Sequence, residues 1–209
     1  VLLACGGFER NREMLTRYAG DNAVDLPLLA PGLPFNQGAG LQMAMDAGAP
    51  ADRISFGNTI KKERDVARAY ELGIRLFAVD CVEEVEKIGR AAPGARVFCR
   101  ILTDGEGAEW PLSRKFGCDP AMALDVLVHA DALGLKAYGI SFHVGSQQTR
   151  LEAWDTALAQ SAGIFRQLAE RGIMLQMVNL GGGFPTKYLK QVPGTGSYAN
   201  AIHGALAKH

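Results

Sequence analysis

From Arg53 onward, short apolar and β-branched runs alternate with longer stretches of helical period, and this alternation constrains the fold more than any other feature of the chain. A sequence that switches repeatedly between strand and helix periods builds βαβ units, with parallel strands in one sheet and helices covering it. The strand-like runs are Ile54–Phe56, Leu76–Val79, Val97–Ile101, Ala137–Phe142 and Met174–Leu180. Between them, Lys61–Leu72 sets Val66, Ala69, Tyr70 and Leu72 near one helix face, and Val82–Ala91 does the same with Val82, Val85 and Ile88. The boundaries carry their own signals. Asp80 with Glu83 three residues on reads as a capping box, and Asp119-Pro120 as an N-cap followed by a first-turn proline. Gly73, Gly134 and Gly172 each close a helical stretch ahead of the next strand. The class is α/β. Five strands with helical crossovers fit an open doubly wound sheet or part of an eight-stranded barrel, and periodicity leaves both open.

The two ends of the chain differ from this pattern. Between Gly20 and Gly40, Pro27, Pro31, Gly32, Pro34, Gly38 and Gly40 follow one another without a period and read as loop. Gln191–Gly196 is likewise irregular, and Tyr198–Ala207 reads as a short helix. Lys+Arg and Asp+Glu each number 22, so no net field favours nucleic acid or an anionic membrane, and a small molecule is the better partner. Cys5, Cys81, Cys99 and Cys118 show neither paired Cys spacing nor paired histidines, which argues against a zinc site or a disulfide framework and for a reducing, cytoplasmic compartment. The apolar opening Val1–Gly7 is short for a membrane span and lacks a basic residue ahead of it, so a soluble protein is expected.

Two segments carry candidate chemistry. The run Ala137–Phe142 leads into His143-Val144-Gly145-Ser146, which places an imidazole and a hydroxyl just past a strand's C-terminal end, where parallel α/β folds gather ligand-binding groups. A strand-end histidine satisfied by backbone is the plainer alternative. Val178-Asn179-Leu180 leads into Gly181-Gly182-Gly183-Phe184, whose missing side chains let backbone N–H groups close on an anion such as phosphate; alone, such a run is most often a turn. Together the two segments place ligand-binding groups on one rim of one sheet. Arg100 stands in the apolar run Val97–Ile101 and either faces an anion or extends to solvent. Lys115 reads as a surface or interface charge, and Lys61 and Lys62 as solvated residues opening a helix.

In order, Phe56–Lys61, Arg100–Asp104, Leu112–Gly117, Ser141–Ser146 and Gly181–Phe184 resemble the ornithine/diaminopimelate/arginine decarboxylases that use pyridoxal 5'-phosphate, and Ser141–Ser146 resembles the ornithine branch most. The resemblance covers roughly residues 41–184 and implies a partial (β/α)8 TIM barrel of the alanine racemase-like, PLP-binding type. It implies that His143 stacks on the pyridine ring, that Ser146 and the backbone of Gly181, Gly182 and Gly183 hold the phosphate, and that Arg100 lies beside the cofactor. It further implies a homodimer with Lys115 at its interface, and decarboxylation of a basic amino acid, ornithine or lysine, to a polyamine precursor. Three departures accompany it. Residues 1–60 contain no lysine, so the Schiff-base lysine is not found. Leu33–Gly40 replaces an acidic family segment, which sets residues 1–40 apart as a divergent stretch ahead of a barrel over residues 41–209. The family's C-terminal β-domain is not among the 209 residues. Activity impaired in this chain is therefore expected, the alternative being a non-catalytic binding or regulatory relative that has lost the lysine.

Overall fold

In α1 (Glu63–Glu71), Val66 and Ala69 turn inward while Glu63 and Asp65 occupy the first turn and Arg68 the last, charges that complement the helix dipole. The computed structural model describes residues 53–111, 115–186 and 191–209. The remaining elements are β1 (Ser55–Phe56), β2 (Leu76–Val79), α2 (Val82–Ala91), β3 (Arg96–Arg100), β4 (Ala108–Trp110), α3 (Pro120–Ala132), β5 (Lys136–Ser141), β6 (Ser146–Gln148), α4 (Glu152–Ala169), β7 (Met177–Asn179) and α5 (Thr195–Lys208). The Asp119 carboxylate caps α3 by accepting the Met122 N–H at 2.9 Å, with Pro120 in the first turn as expected. The irregular stretch after Gln191 ends at Gly194, two residues earlier than its composition suggests. The loop-like reading of Gly20–Gly40, and the run Leu112–Arg114, lie outside the described residues.

Strand order decides between the two α/β architectures. The five main strands run β1-β2-β3-β5-β7, every neighbouring pair parallel and every step in chain order. A doubly wound sheet would reverse direction at a switch point, whereas a singly wound one curls toward a barrel. The expected partial (β/α) barrel is the fold. One face of the sheet packs on the helices through Phe77, Val79, Val97, Cys99 and Ile140. The opposite face follows the alternation of the strands, and the register sets Arg100, Ser141 and Asn179 side by side across β3, β5 and β7. Outside the main sheet, β4 and β6 form an antiparallel pair, Ala108 opposite Gln148 and Trp110 opposite Ser146. No described helix is long and apolar enough to cross a membrane.

Two expectations are corrected here. Asp80 does not cap α2: the N-cap residue is Cys81, with no side-chain cap bond, and the Asp80 carboxylate instead accepts the Gly117 N–H at 2.9 Å. At the strand end the carboxylate also favours the nearby Arg100 cation. Lys61 is not solvated. The helix opens at Glu63 behind Lys62, so Lys61 belongs to the preceding turn and points inward, its side chain fully buried against Glu84 of α2. Its Nζ lies 2.9 Å from Glu84 Oε1 and donates to the carbonyls of Ala78 and Asn58 at 2.6 and 2.8 Å. Lys62, in contrast, is exposed as expected.

Candidate functional site

Strand parity continues the inward row past the ends of β5 and β7. His143 follows Ser141 by two residues and Gly181 follows Asn179 by two, so both stand at the C-terminal rim of the sheet. There the loops are in backbone contact. A Cβ on Gly181 would lie 2.0 Å from the Phe142 carbonyl oxygen and 3.2 Å from the His143 Cα, and one on Gly183 would lie 2.3 Å from the Gly145 oxygen. Gly181 and Gly183 also sit at φ +65° and +105°, which L side chains rarely adopt. Glycine is thus required twice over in the β7 loop, and the Asn179 Oδ1 fixes its first turn by accepting the Gly181 N–H at 2.9 Å.

A third loop closes on the same rim: the Thr103 hydroxyl, just past β3, donates to the His143 carbonyl at 2.7 Å. Ser146 lies in β6, paired with Trp110 of β4, and is half-buried. Arg100 is half-buried too, its guanidinium 5.7 Å from the Phe116 ring centroid and electrostatically coupled to Asp80 and His143. The register sets it in the same row as Ser141 and Asn179. Lys115 is exposed and lies 5.7 Å from the same ring. The structure therefore gathers His143, Ser146 and Gly181–Gly183 on joined loops, keeps Arg100 beside His143, and leaves Lys115 on the surface.

The imidazole is held in one tautomer. His143 Nδ1 accepts the Gly145 N–H at 3.0 Å, so the neutral ring carries its proton on Nε2, and a Cβ on Gly182 would lie 3.1 Å from that nitrogen. Burial, with Arg100 adding to it, lowers the His143 pKa below the usual histidine value. The unfolded chain takes up this proton near the ordinary value of 6.5, and the folded chain resists until lower pH. Stability from this group is therefore complete above 6.5 and is lost as pH falls through the lowered folded pKa. In a proton NMR titration, the His143 ring signal should show a midpoint below 6.5; a midpoint at or above that value would remove the argument.

A flat aromatic ring beside a glycine cradle suits a planar heterocycle that carries a phosphate. The Gly181 N–H is taken by Asn179, so the N–H groups of Gly182 and Gly183 can meet the anion, and the neutral ring can meet the heterocycle without adding a charge. The groups missed by the sequence reading are supporting ones: Asp80, Thr103, Asn179 and the pair Gln147-Gln148. Asn179 was legible in principle, as the last inward residue of a strand running into glycines. The glutamines carry no such signal.

The fold is a parallel (β/α) barrel sheet whose C-terminal rim carries these loops. Comparison with known proteins agrees: the family described as pyridoxal-dependent decarboxylase, pyridoxal binding domain, matches residues 30–209. The chain belongs to this family. A lysine/ornithine decarboxylase of Selenomonas ruminantium is 34% identical over 145 residues, 69% of this chain and 37% of the relative. An ornithine decarboxylase of Mus musculus is 32% identical over 145 residues, covering 69% and 32% respectively. Among solved structures, the lysine/ornithine decarboxylase of Vibrio vulnificus complexed with putrescine superposes with a TM-score of 0.69 at 30% identity, covering 80% of this chain and 44% of that one. Lysine decarboxylase from Selenomonas ruminantium gives a TM-score of 0.72 at 31% identity, covering 81% and 45%. The chain thus spans about a third of the length of the curated relatives it matches.

Proposed function

We propose that this chain is the pyridoxal 5'-phosphate-holding barrel of a decarboxylase that converts a basic amino acid, ornithine or lysine, to a polyamine precursor. The observation that carries the reading is the meeting of a neutral imidazole and a glycine cradle on one barrel rim. His143 is assigned to the pyridine ring, Ser146 and the Gly181, Gly182 and Gly183 backbone to the phosphate, and Arg100 to the cofactor's flank. When bound, the pyridine ring supplies the electron sink for the carbanion left by departing CO₂. The residues of this chain bind and orient: His143 stays uncharged through its Gly145 bond, while the loops after β3, β5 and β7 hold one another in place. The putrescine-bound relative supports a basic substrate. Within this proposal, residues 41–209 form the barrel, residues 1–40 are a divergent segment, the working unit is a cytoplasmic homodimer, and exposed Lys115 contributes to its interface.

Activity is proposed to be impaired in this chain by itself. Residues 1–60 contain no lysine, and the first one, Lys61, spends its amine on Glu84 and two carbonyls. The same observation favours a second reading, a non-catalytic binding or regulatory relative. An absorbance titration of the full chain with pyridoxal 5'-phosphate, followed by borohydride reduction and peptide mapping, separates the two. Saturable binding that is lost in His143→Ala supports the site; an unchanged cofactor spectrum would sink it. A label fixed to one lysine favours the enzyme, and saturable binding without a label favours the binding protein.

A further inference from the structure

The segment just after Ser146 is held with unusual thoroughness. Gln147 adopts φ +54°, the one described non-glycine residue at positive φ, a conformation that costs about 1–3 kcal/mol unless its surroundings enforce it. What enforces it is a two-point clasp on the glycine loop: the Gln147 amide donates to the Thr186 carbonyl at 3.0 Å and accepts the Thr186 N–H at 2.9 Å. The next residue is a completely buried polar side chain, Gln148. Its backbone N–H donates to the Gly183 carbonyl at 2.8 Å. Its side-chain amide donates to the carbonyls of Glu106 and Val144 at 3.0 and 2.9 Å and accepts the Arg150 N–H at 2.9 Å. Its own carbonyl accepts the Tyr198 hydroxyl at 2.9 Å.

A buried amide is tolerated when its donors and acceptor are satisfied, and then it fixes the segments it joins. Here those segments are the histidine loop, the glycine loop, the turn before β4 and helix α5. Burying a glutamine where an aliphatic residue would pack as well is unneeded for a core; it makes sense where two loops must keep a set separation. We propose that Gln147 and Gln148 are positioning residues that set the gap between Ser146 and the Gly181–Gly183 cradle, and thereby the phosphate's contribution to cofactor affinity. This rests on the assignment of the rim to pyridoxal 5'-phosphate.

The test compares two ligands that differ only in the phosphate. Pyridoxal 5'-phosphate and pyridoxal are titrated against the full chain and its Gln147→Met and Gln148→Met variants by fluorescence quenching, with a thermal melt of each protein. Gln147 is partly exposed, so its variant keeps a folded protein available if the buried substitution does not. The expected result is a fall of about tenfold in affinity for pyridoxal 5'-phosphate in either variant, with pyridoxal affinity unchanged, so that the phosphate preference shrinks. General loosening would weaken both ligands alike, and that outcome, or an unchanged preference in Gln147→Met, overturns the positioning role. A wild-type chain that binds pyridoxal 5'-phosphate no better than pyridoxal overturns the phosphate assignment itself.

Discussion

Glu84→Gln is expected to destabilise the folded chain by about 3–5 kcal/mol, because it leaves the Lys61 ammonium buried without its counter-charge. That is a large part of the total stability of an ordinary domain, about 5–15 kcal/mol. The Lys61 side chain is fully buried and Glu84 is 3% exposed, so solvent screens neither charge. Two backbone carbonyls still accept from Lys61 in the variant, but partial dipoles do not replace a carboxylate. Lys61→Met should cost less, because Glu84 keeps a second cation in Lys87, whose Nζ lies 2.5 Å from Oε2. The pH dependence supplies a signature. Burial pulls the Lys61 pKa below its ordinary 10.5, against the opposing effect of Glu84, and removing Glu84 lowers it further. Between the folded value and 10.5 the unfolded state binds more protons, so stability rises with pH across that window. The deficit of Glu84→Gln relative to wild type should therefore shrink as pH is raised above neutral. Urea unfolding at neutral and alkaline pH measures both effects; a loss under about 1 kcal/mol at neutral pH would show that the pair is not the anchor described.

This lysine marks where sequence reading stops. Hydrophobic period revealed α1 and α2, whose buried faces set a repeat, and apolar runs marked the five main strands, whereas α3 was legible from its Asp119-Pro120 start and Gly134 stop. Glycines at Gly73, Gly134 and Gly172 were readable because φ values of +94°, +76° and +80° leave little choice of residue. The β4–β6 pair was not readable: Ala-Glu-Trp and Ser-Gln-Gln are three-residue strands whose pairing is set by the loops around them. Lys61 and Asp80 were misread for one reason. A charge beside a helix start looks like a cap or a solvated end, and only tertiary contacts reveal a partner more than twenty residues away, Glu84 for the first and Gly117 for the second. The rim positions of His143, Ser146 and Gly181–Gly183, which are proposed to face the cofactor, were legible because both runs follow strands. Its supporting bonds, from Thr103, Asn179, Gln147 and Gln148, join positions that no local pattern connects.

The glycine loop yields the second large effect, and it separates folding from binding within three consecutive residues. Gly181→Ala places a methyl 2.0 Å from a backbone oxygen at φ +65°, and neither the Phe142 carbonyl nor the turn can yield without displacing the β5 end. Strain and overpacking together should cost about 2–6 kcal/mol. Gly182→Ala is different in kind. Its backbone is not at positive φ, and the nearest atom to the new methyl is the His143 Nε2 at 3.1 Å, the tip of a side chain. The imidazole can give by a few tenths of an ångström, so stability should stay within about 1 kcal/mol of wild type. The ring that moves is the one assigned to the cofactor, so pyridoxal 5'-phosphate affinity should fall by about tenfold or more in a protein that melts normally. Parallel thermal melts and cofactor titrations of the two variants measure both quantities. If Gly182→Ala binds the cofactor as tightly as wild type, His143 does not meet the ring where the β5 loop holds it.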